Sequence, residues 1–315
     1  MKTKFATAIA VLVLGGLVIM AFTVPTKKKL VEAIGSVGKL SKTMQLALDP
    51  ADFLPMNKPG PHDWLANHEE FGQTFDEYVQ EGFVSPDKQR KKIYLLPIGP
   101  FAKGKSPSKK KLQQFTAAYF GLPVVVLDEI PVSGHSFTTR INAYTKKRQI
   151  LTHDILKLLR KKLPKDGFCI LAITMEDLYP DPDWNFVFGM ASLYARVGVF
   201  SFARYDPAFF GQARAKNYLD TLLRRSCKVL AHETAHMFGL QHCIYFQCLI
   251  NGSNHMQESD SRPIHLCPVC LRKLQYNIEF DVVKRYQKLL GFYKQAKMQA
   301  EVEWVTARLK KLTAK

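Results

Sequence analysis

Acidic residues are scarce in this chain of 315 residues: 27 Asp and Glu stand against 45 Lys and Arg, a formal net charge of +18. Such an excess attracts anionic partners, among them nucleic acid, acidic lipid headgroups and acidic peptides. No nucleic-acid motif of basic residues interleaved with aromatics accompanies it, so no specific nucleic-acid binding is expected. The charge reads first as a basic, solvated surface. There is no internal repeat and no low-complexity tract beyond short lysine runs. A hydrophobic content of 47% argues against a mainly disordered chain and supports one large domain or two small ones.

Long uncharged runs are missing too, with one exception. Lys2 and Lys4 precede a run from Phe5 to Val24 that carries no charge. Twenty helical residues at 1.5 Å each span about 30 Å, the thickness of a bilayer core. The run is long for a signal peptide, and Ala21-Phe-Thr-Val-Pro25 makes a poor cleavage site. Residues 1–24 are therefore expected to be a membrane anchor, with a cleaved signal and a secreted or periplasmic product as the alternative. Lys27, Lys28 and Lys29 after the run favour a cytoplasmic C-terminal side by the positive-inside rule.

Residues 232 to 242 read His-Glu-Thr-Ala-His-Met-Phe-Gly-Leu-Gln-His, the pattern H-E-x-x-H-x-x-G-x-x-H. On a helix, His232 and His236 are four residues apart and share a face, so two imidazoles can reach one zinc ion. Gly239 falls where a left-handed residue would end the helix and bring His242 round as a third ligand. Three protein ligands leave one position open for water, as in a catalytic zinc site. Glu233 is placed to take a proton from that water. The competing reading is a helix whose histidines are hydrogen-bonded core residues.

Cysteines follow at once: Cys243, Cys248, then Cys267-Pro-Val-Cys270. C-x4-C and C-x2-C can enclose a tetrahedral structural zinc, giving two zinc ions per chain. Buried free thiols and disulfides are the alternatives. Cys169 and Cys227 read as small buried residues.

The combined pattern over residues 232–270 resembles the archaemetzincins, zinc peptidases of the metzincin clan. The resemblance extends less sharply from about Ile93 to the C-terminus. It implies an α+β fold: a metzincin-like domain with a mixed twisted sheet and an active-site helix. It also implies His232, His236 and His242 on the catalytic zinc, Glu233 as general base and acid, and Cys243, Cys248, Cys267 and Cys270 on the second zinc. The substrate would be a peptide or protein, laid along an edge strand above the cleft, for which Trp184–Ala191 is the candidate. The family's methionine two residues after the second cysteine is replaced by Ile250; Met256 is the nearest candidate to lie beneath the metal. A catalytically weak, zinc-stabilised binding protein, with a protein or nucleic-acid partner, is the second reading. An intact Glu233 argues against it.

The remaining chain divides into a linker and helical prelude (25–92), a catalytic domain (93–280) and a C-terminal helix or helix pair (281–315). Pro50, Pro55, Pro59 and Pro61 break the prelude. A helix is expected over Phe71–Phe83, with Phe71, Phe75, Tyr78 and Val79 in phase. His62-Asp63-Trp64 reads as a cap or surface pair. Apolar runs predict strands at Ile93–Pro97, Val124–Leu127, Phe168–Thr174, Trp184–Ala191 and Val197–Arg204, and around Asn142–Tyr144. Helical periodicity predicts Lys110–Tyr119, Gln149–Leu163 and Lys216–Phe238. In the last of these, Leu219, Leu222, Leu223, Cys227 and Leu230 form the apolar face, while Arg224 and Arg225 read as surface charges. Gly291 is a candidate break in the C-terminal helix.

Overall fold

The computed structural model describes residues 22–192 and 194–314. Four short helices come first: α1 (Lys27–Ile34), α2 (Lys42–Ala47), α3 (Trp64–Asn67) and α4 (Phe75–Glu81). Then follow β1 (Lys92–Ile98), α5 (Lys109–Phe120), β2 (Val124–Val126), β3 (Thr139–Ile141), β4 (Arg148–Leu151) and α6 (Thr152–Lys162). Next are β5 (Gly167–Thr174), β6 (Asp177–Tyr179), β7 (Gly189–Ser192), β8 (Val197–Ser201) and α7 (Tyr218–Met237). The chain closes with α8 (Met256–Ser261), α9 (Pro268–Ile278), α10 (Val282–Gln295) and α11 (Gln299–Thr313).

The main sheet has the order β2-β1-β5-β8-β7. Its first four strands are parallel, and β7 pairs antiparallel to β8 at the edge. Strands β1 and β5 read as almost unbroken apolar runs because parallel strands with helices on both faces have no solvent side. Their alternate residues serve two cores. Ile93, Leu95, Leu171 and Ile173 pack with Leu112, Phe115 and Tyr119 of α5 and Leu222 and Leu230 of α7. Tyr94, Leu96, Ile98 and Ile170 face Ile155, Leu156 and Leu159 of α6. The result is a mixed α+β fold, with α7 clamped against the sheet. A smaller sheet, β3-β4-β6, flanks it.

Residues 25–92 are packed rather than loosely strung. Leu30, Ile34, Met44, Phe53, Met56 and Tyr78 belong to the same core as α7. Arg272 of α9 donates to the carbonyls of Ile34 and Ser36 and lies 3.7 Å over the Phe75 ring. Asp63 stands at the N-cap of α3.

Several expectations are corrected. Helix α4 starts at Phe75 because Thr74 and Glu77 form a capping box, each side chain bonding the other's backbone N–H at 3.2 and 2.7 Å. Phe71 lies outside it and is exposed. Ile150 and Leu151 belong to β4, paired with Leu178 and Tyr179, so the helix begins only at Thr152; two adjacent apolar residues fit either period. Asn142 to Tyr144 form a turn, with the Asn142 side-chain oxygen Oδ1 accepting from the Tyr144 and Thr145 amides at 2.9 Å. Of Trp184–Ala191, only Gly189 onward is strand, and Val197–Arg204 turns into a 3-10 helix after Ser201. Leu219 is exposed at the start of α7. Gly291 sits inside α10; the break falls at Ala296–Met298, where Lys297 takes φ 57°.

The expected anchor, residues 1–24, lies mostly outside the described residues. Among the described residues, no helix is long and apolar enough to cross a membrane.

Candidate metal centres and active-site cleft

Lys228, His232 and His236 recur every four residues along α7, and all three line a cleft of about 310 Å³. The helix ends on Met237, and Gly239 takes φ +83°. No other residue fits there: a Cβ would lie 2.0 Å from the Phe83 ring. The reversed chain carries His242 to the other two histidines, with one ring nitrogen from each within 4.8 Å of the others.

Each imidazole is oriented through its Nδ1. That of His232 donates to the Leu249 carbonyl at 2.8 Å, and that of His236 to the Leu240 carbonyl at 2.5 Å. His242 Nδ1 bonds Glu70 Oε1 at 2.7 Å. With Nδ1 donating to carbonyls, the Nε2 atoms of His232 and His236 are left as bare lone pairs, 3.0 Å apart. Two facing lone pairs repel unless a cation lies between them. Two nitrogens about 2.0–2.1 Å from one zinc ion fit this spacing. Burial pushes His236 down to about 4 and His232 well below the usual histidine range, so both are neutral, as ligands must be.

The four cysteines make a second cluster immediately behind. Cys243, Cys248, Cys267 and Cys270 are buried, bring one sulfur each within 4.8 Å of the others, and form no disulfide. Cys243 Sγ is 3.6 Å from Cys267 Sγ, and the Cys267 amide donates to Cys248 Sγ at 3.3 Å. Cys267 and Pro268 open α9, so this pair sits at a helix start. Burial raises Cys243, but hydrogen bonds from the other three thiols outweigh it and hold it well below the ordinary thiol range. Burial and the same bonds push Cys267 up. Four buried sulfurs gathered this closely are a donor set suited to a thiophilic cation. Asn251 ties the loop together: its amide donates to the Cys243 and Phe246 carbonyls at 2.6 and 3.0 Å, and its oxygen accepts from the Cys248 amide at 2.7 Å.

The pattern of Peptidase family M54 matches residues 119–276. Archaemetzincin-2 of Macaca fascicularis is 40% identical over 278 residues, covering 79% of this chain and 77% of that protein. The human archaemetzincin-2 is 39% identical over the same span. This chain belongs to the archaemetzincin family. Archaemetzincin-1 of Mus musculus is a more distant relative, 32% identical over 259 residues, 72% of this chain and 51% of that protein. A crystal structure of an archaemetzincin from Methanopyrus kandleri is 27% identical, covers 62% of this chain and 99% of that one, and superposes with a TM-score of 0.46. This archaemetzincin is a zinc metallopeptidase, and its substrates are peptides or proteins.

Two archaemetzincin side chains at the cleft were not assigned to it from sequence, where His62-Asp63-Trp64 read as a cap or surface pair. Glu70 and Trp64 lie more than 170 residues before His242. The Trp64 indole donates to Glu70 Oε1 at 2.8 Å, its ring stacks on His68 at 3.7 Å, and it meets His242 edge-on at 5.3 Å. Burial alone would raise Glu70; the bond from His242 leads the effects that bring it below its usual range. Glu233, half-buried in the cleft, is pushed up to about 7 by burial. Its Oε1 abuts β7, 3.2 Å from where a Cβ of Gly189 would stand. Met256 also lines the cleft, whereas Ile250 is fully buried. Asp63, His255 and Glu258 bring ligand atoms together at the rim. Glu258 is already used there, accepting from the Trp64 and Asn254 amides and pairing with Arg262. Arg224 and Arg225, expected as surface charges, are pinned by Glu301 and Asp260 at 2.7 and 2.6 Å.

Proposed function

We propose that this metallopeptidase works with a catalytic zinc on His232, His236 and His242, Glu233 as general base and acid, and a structural zinc on Cys243, Cys248, Cys267 and Cys270, two ions per chain. The paired Nε2 lone pairs of His232 and His236 carry this reading, with Glu233 opening onto the same cleft. Bound there, zinc would supply Lewis acidity, making water more acidic and polarising the scissile carbonyl. Glu233, with an affinity for protons near neutrality, accepts the proton of the attacking water at its carboxylate. It then hands that proton to the departing amine. Glu70 holds the His242 ring through Nδ1, keeping Nε2 directed at the metal position.

The edge strand β7 borders the cleft and has one side unpaired among the described residues. A substrate peptide adding to it would gain ladder hydrogen bonds that tolerate many sequences. The narrower candidate is thus Gly189–Ser192, whose first three residues fall within the stretch first expected.

Peptide hydrolysis by the full chain tests the reading, with Glu233→Gln alongside and zinc content measured on the same samples. Cleavage lost in the variant with two zinc ions retained supports it. Unchanged turnover in that variant rejects Glu233 as the base. Residues 1–24 remain a proposed membrane anchor, tested by carbonate extraction of the expressed protein from membranes.

A further inference from the structure

A second cavity, about 210 Å³, opens between the C-terminal helix pair and the segment at Pro263 to His265, and shares no lining residue with the cleft. Its walls are mostly apolar and aromatic, with Ile264, Tyr286, Leu289, Tyr293, Trp304 and Val305. Apolar cavities of about 150 Å³ admit a benzene molecule. The exposed Ala300 stands at its edge and marks the entrance.

One cation is set into this wall. Arg285 is 3% exposed. Its Nε–H donates to the Tyr119 carbonyl at 2.6 Å, while its buried Nη2 has no hydrogen-bond partner among the described residues. The guanidinium is surrounded by ring faces, with Tyr119 at 4.4 Å, Phe280 at 5.2 Å and Tyr286 at 5.6 Å. One carboxylate, Glu301, lines the same cavity but is held by Arg224 at 2.7 Å. Those two charges cancel, and that of Arg285 has no ion-pair partner among the described residues. Arginine cannot shed its charge as a buried lysine can, so the imbalance is permanent until an anion arrives. A single guanidinium suits one carboxylate, and the surrounding walls suit a ring rather than a hydrated phosphate.

We propose that this cavity binds a small carboxylate with an apolar, single-ring body, the carboxylate meeting Arg285 and the ring lying among Tyr286, Leu289 and Trp304. The full-length, zinc-loaded protein is titrated by calorimetry with 3-phenylpropionate and with its neutral isostere 3-phenylpropionamide. Ala300→Trp, at the exposed entrance, and Arg285→Met are titrated beside it. The acid is expected to bind near about 1 mM. The amide should bind at least about tenfold more weakly, having lost a charge-assisted bond. Both variants should lose the acid. Arg285→Met is a core change, so should it fail to fold, the amide and Ala300→Trp arms carry the test. Equal affinity for acid and amide would overturn the role of the cation. Acid binding unchanged in Ala300→Trp would place the ligand elsewhere, and no binding of the acid up to about 10 mM would reject the site.

Discussion

His242 and Cys243 are neighbours in the chain, yet they belong to clusters that the fold treats in opposite ways. The four cysteines are at most 3% exposed and are enclosed by the core, α9 and the Asn251-tied loop. The three histidines are only partly buried and face a cleft bordered by an edge strand. Donor chemistry alone does not set this difference, since either set has donors that zinc accepts. Placement sets it. One cluster is wrapped by two chain segments and a helix start, and the other is built from one face of α7 and the turn that follows it, facing the cleft. A closed site stabilises the chain, and an open one can react.

Breaking the closed site should do the most damage. Cys267→Ser is expected to cost more than about 5 kcal/mol, a large part of a typical domain's stability, because metal binding there is coupled to folding. Thermal unfolding and zinc content measure it; a fully folded, two-zinc variant would mean that the cysteine cluster does not hold metal. Glu233→Gln should leave folding and metal content alone and slow peptide cleavage by about 10²–10⁴-fold. Glu70→Gln probes the open site one step further out. Zinc affinity of the histidine cluster should fall by about 10–100-fold while the cysteine cluster keeps its ion. Competition with a graded chelator, read as two separate release steps, would reveal whether both sites weaken together.

The smallest effect expected is a pH dependence confined to the open site. In metal-free protein, His236 is held at about 4 and His232 well below its usual range by burial. The unfolded chain protonates both near 6.5. Their contribution is therefore fully present above about pH 6.5 and is lost as pH falls toward 4, because the unfolded state then binds more protons. Urea midpoints of metal-free protein across that window should drop, and the drop should shrink in His236→Gln. An equal drop in the variant would mean that carboxylates elsewhere dominate.

Much of the site is local and therefore legible in sequence. The i, i+4 spacing of His232 and His236, the left-handed turn at Gly239 and the two cysteine pairs depend on helix geometry and chain stiffness. They need no knowledge of distant contacts. Strands β1, β2 and β5 and helices α5 and α7 were equally readable, since long apolar runs and clear periodicity point one way. Where a short run fits both periods, as at Ile150 and Leu151, pairing with β6 decided the outcome. For residues 25–92, read as a linker and helical prelude, the sequence marked breaks at its prolines, and only the structure shows which side chains of these helices enter the core.

What the sequence by itself determined is the donor inventory and its order: three histidines, one glutamate and four cysteines at spacings that a helix and its C-terminal turn can gather. What only the tertiary structure decided is the environment. It brought Glu70 and Trp64 across more than 170 residues to His242, placed β7 at the sheet edge beside Glu233, and buried Arg285 among aromatic rings. Local spacing is fixed by covalent geometry and backbone hydrogen bonding. Burial, access and pairing between remote segments depend on how the layers pack, which no short stretch of sequence encodes.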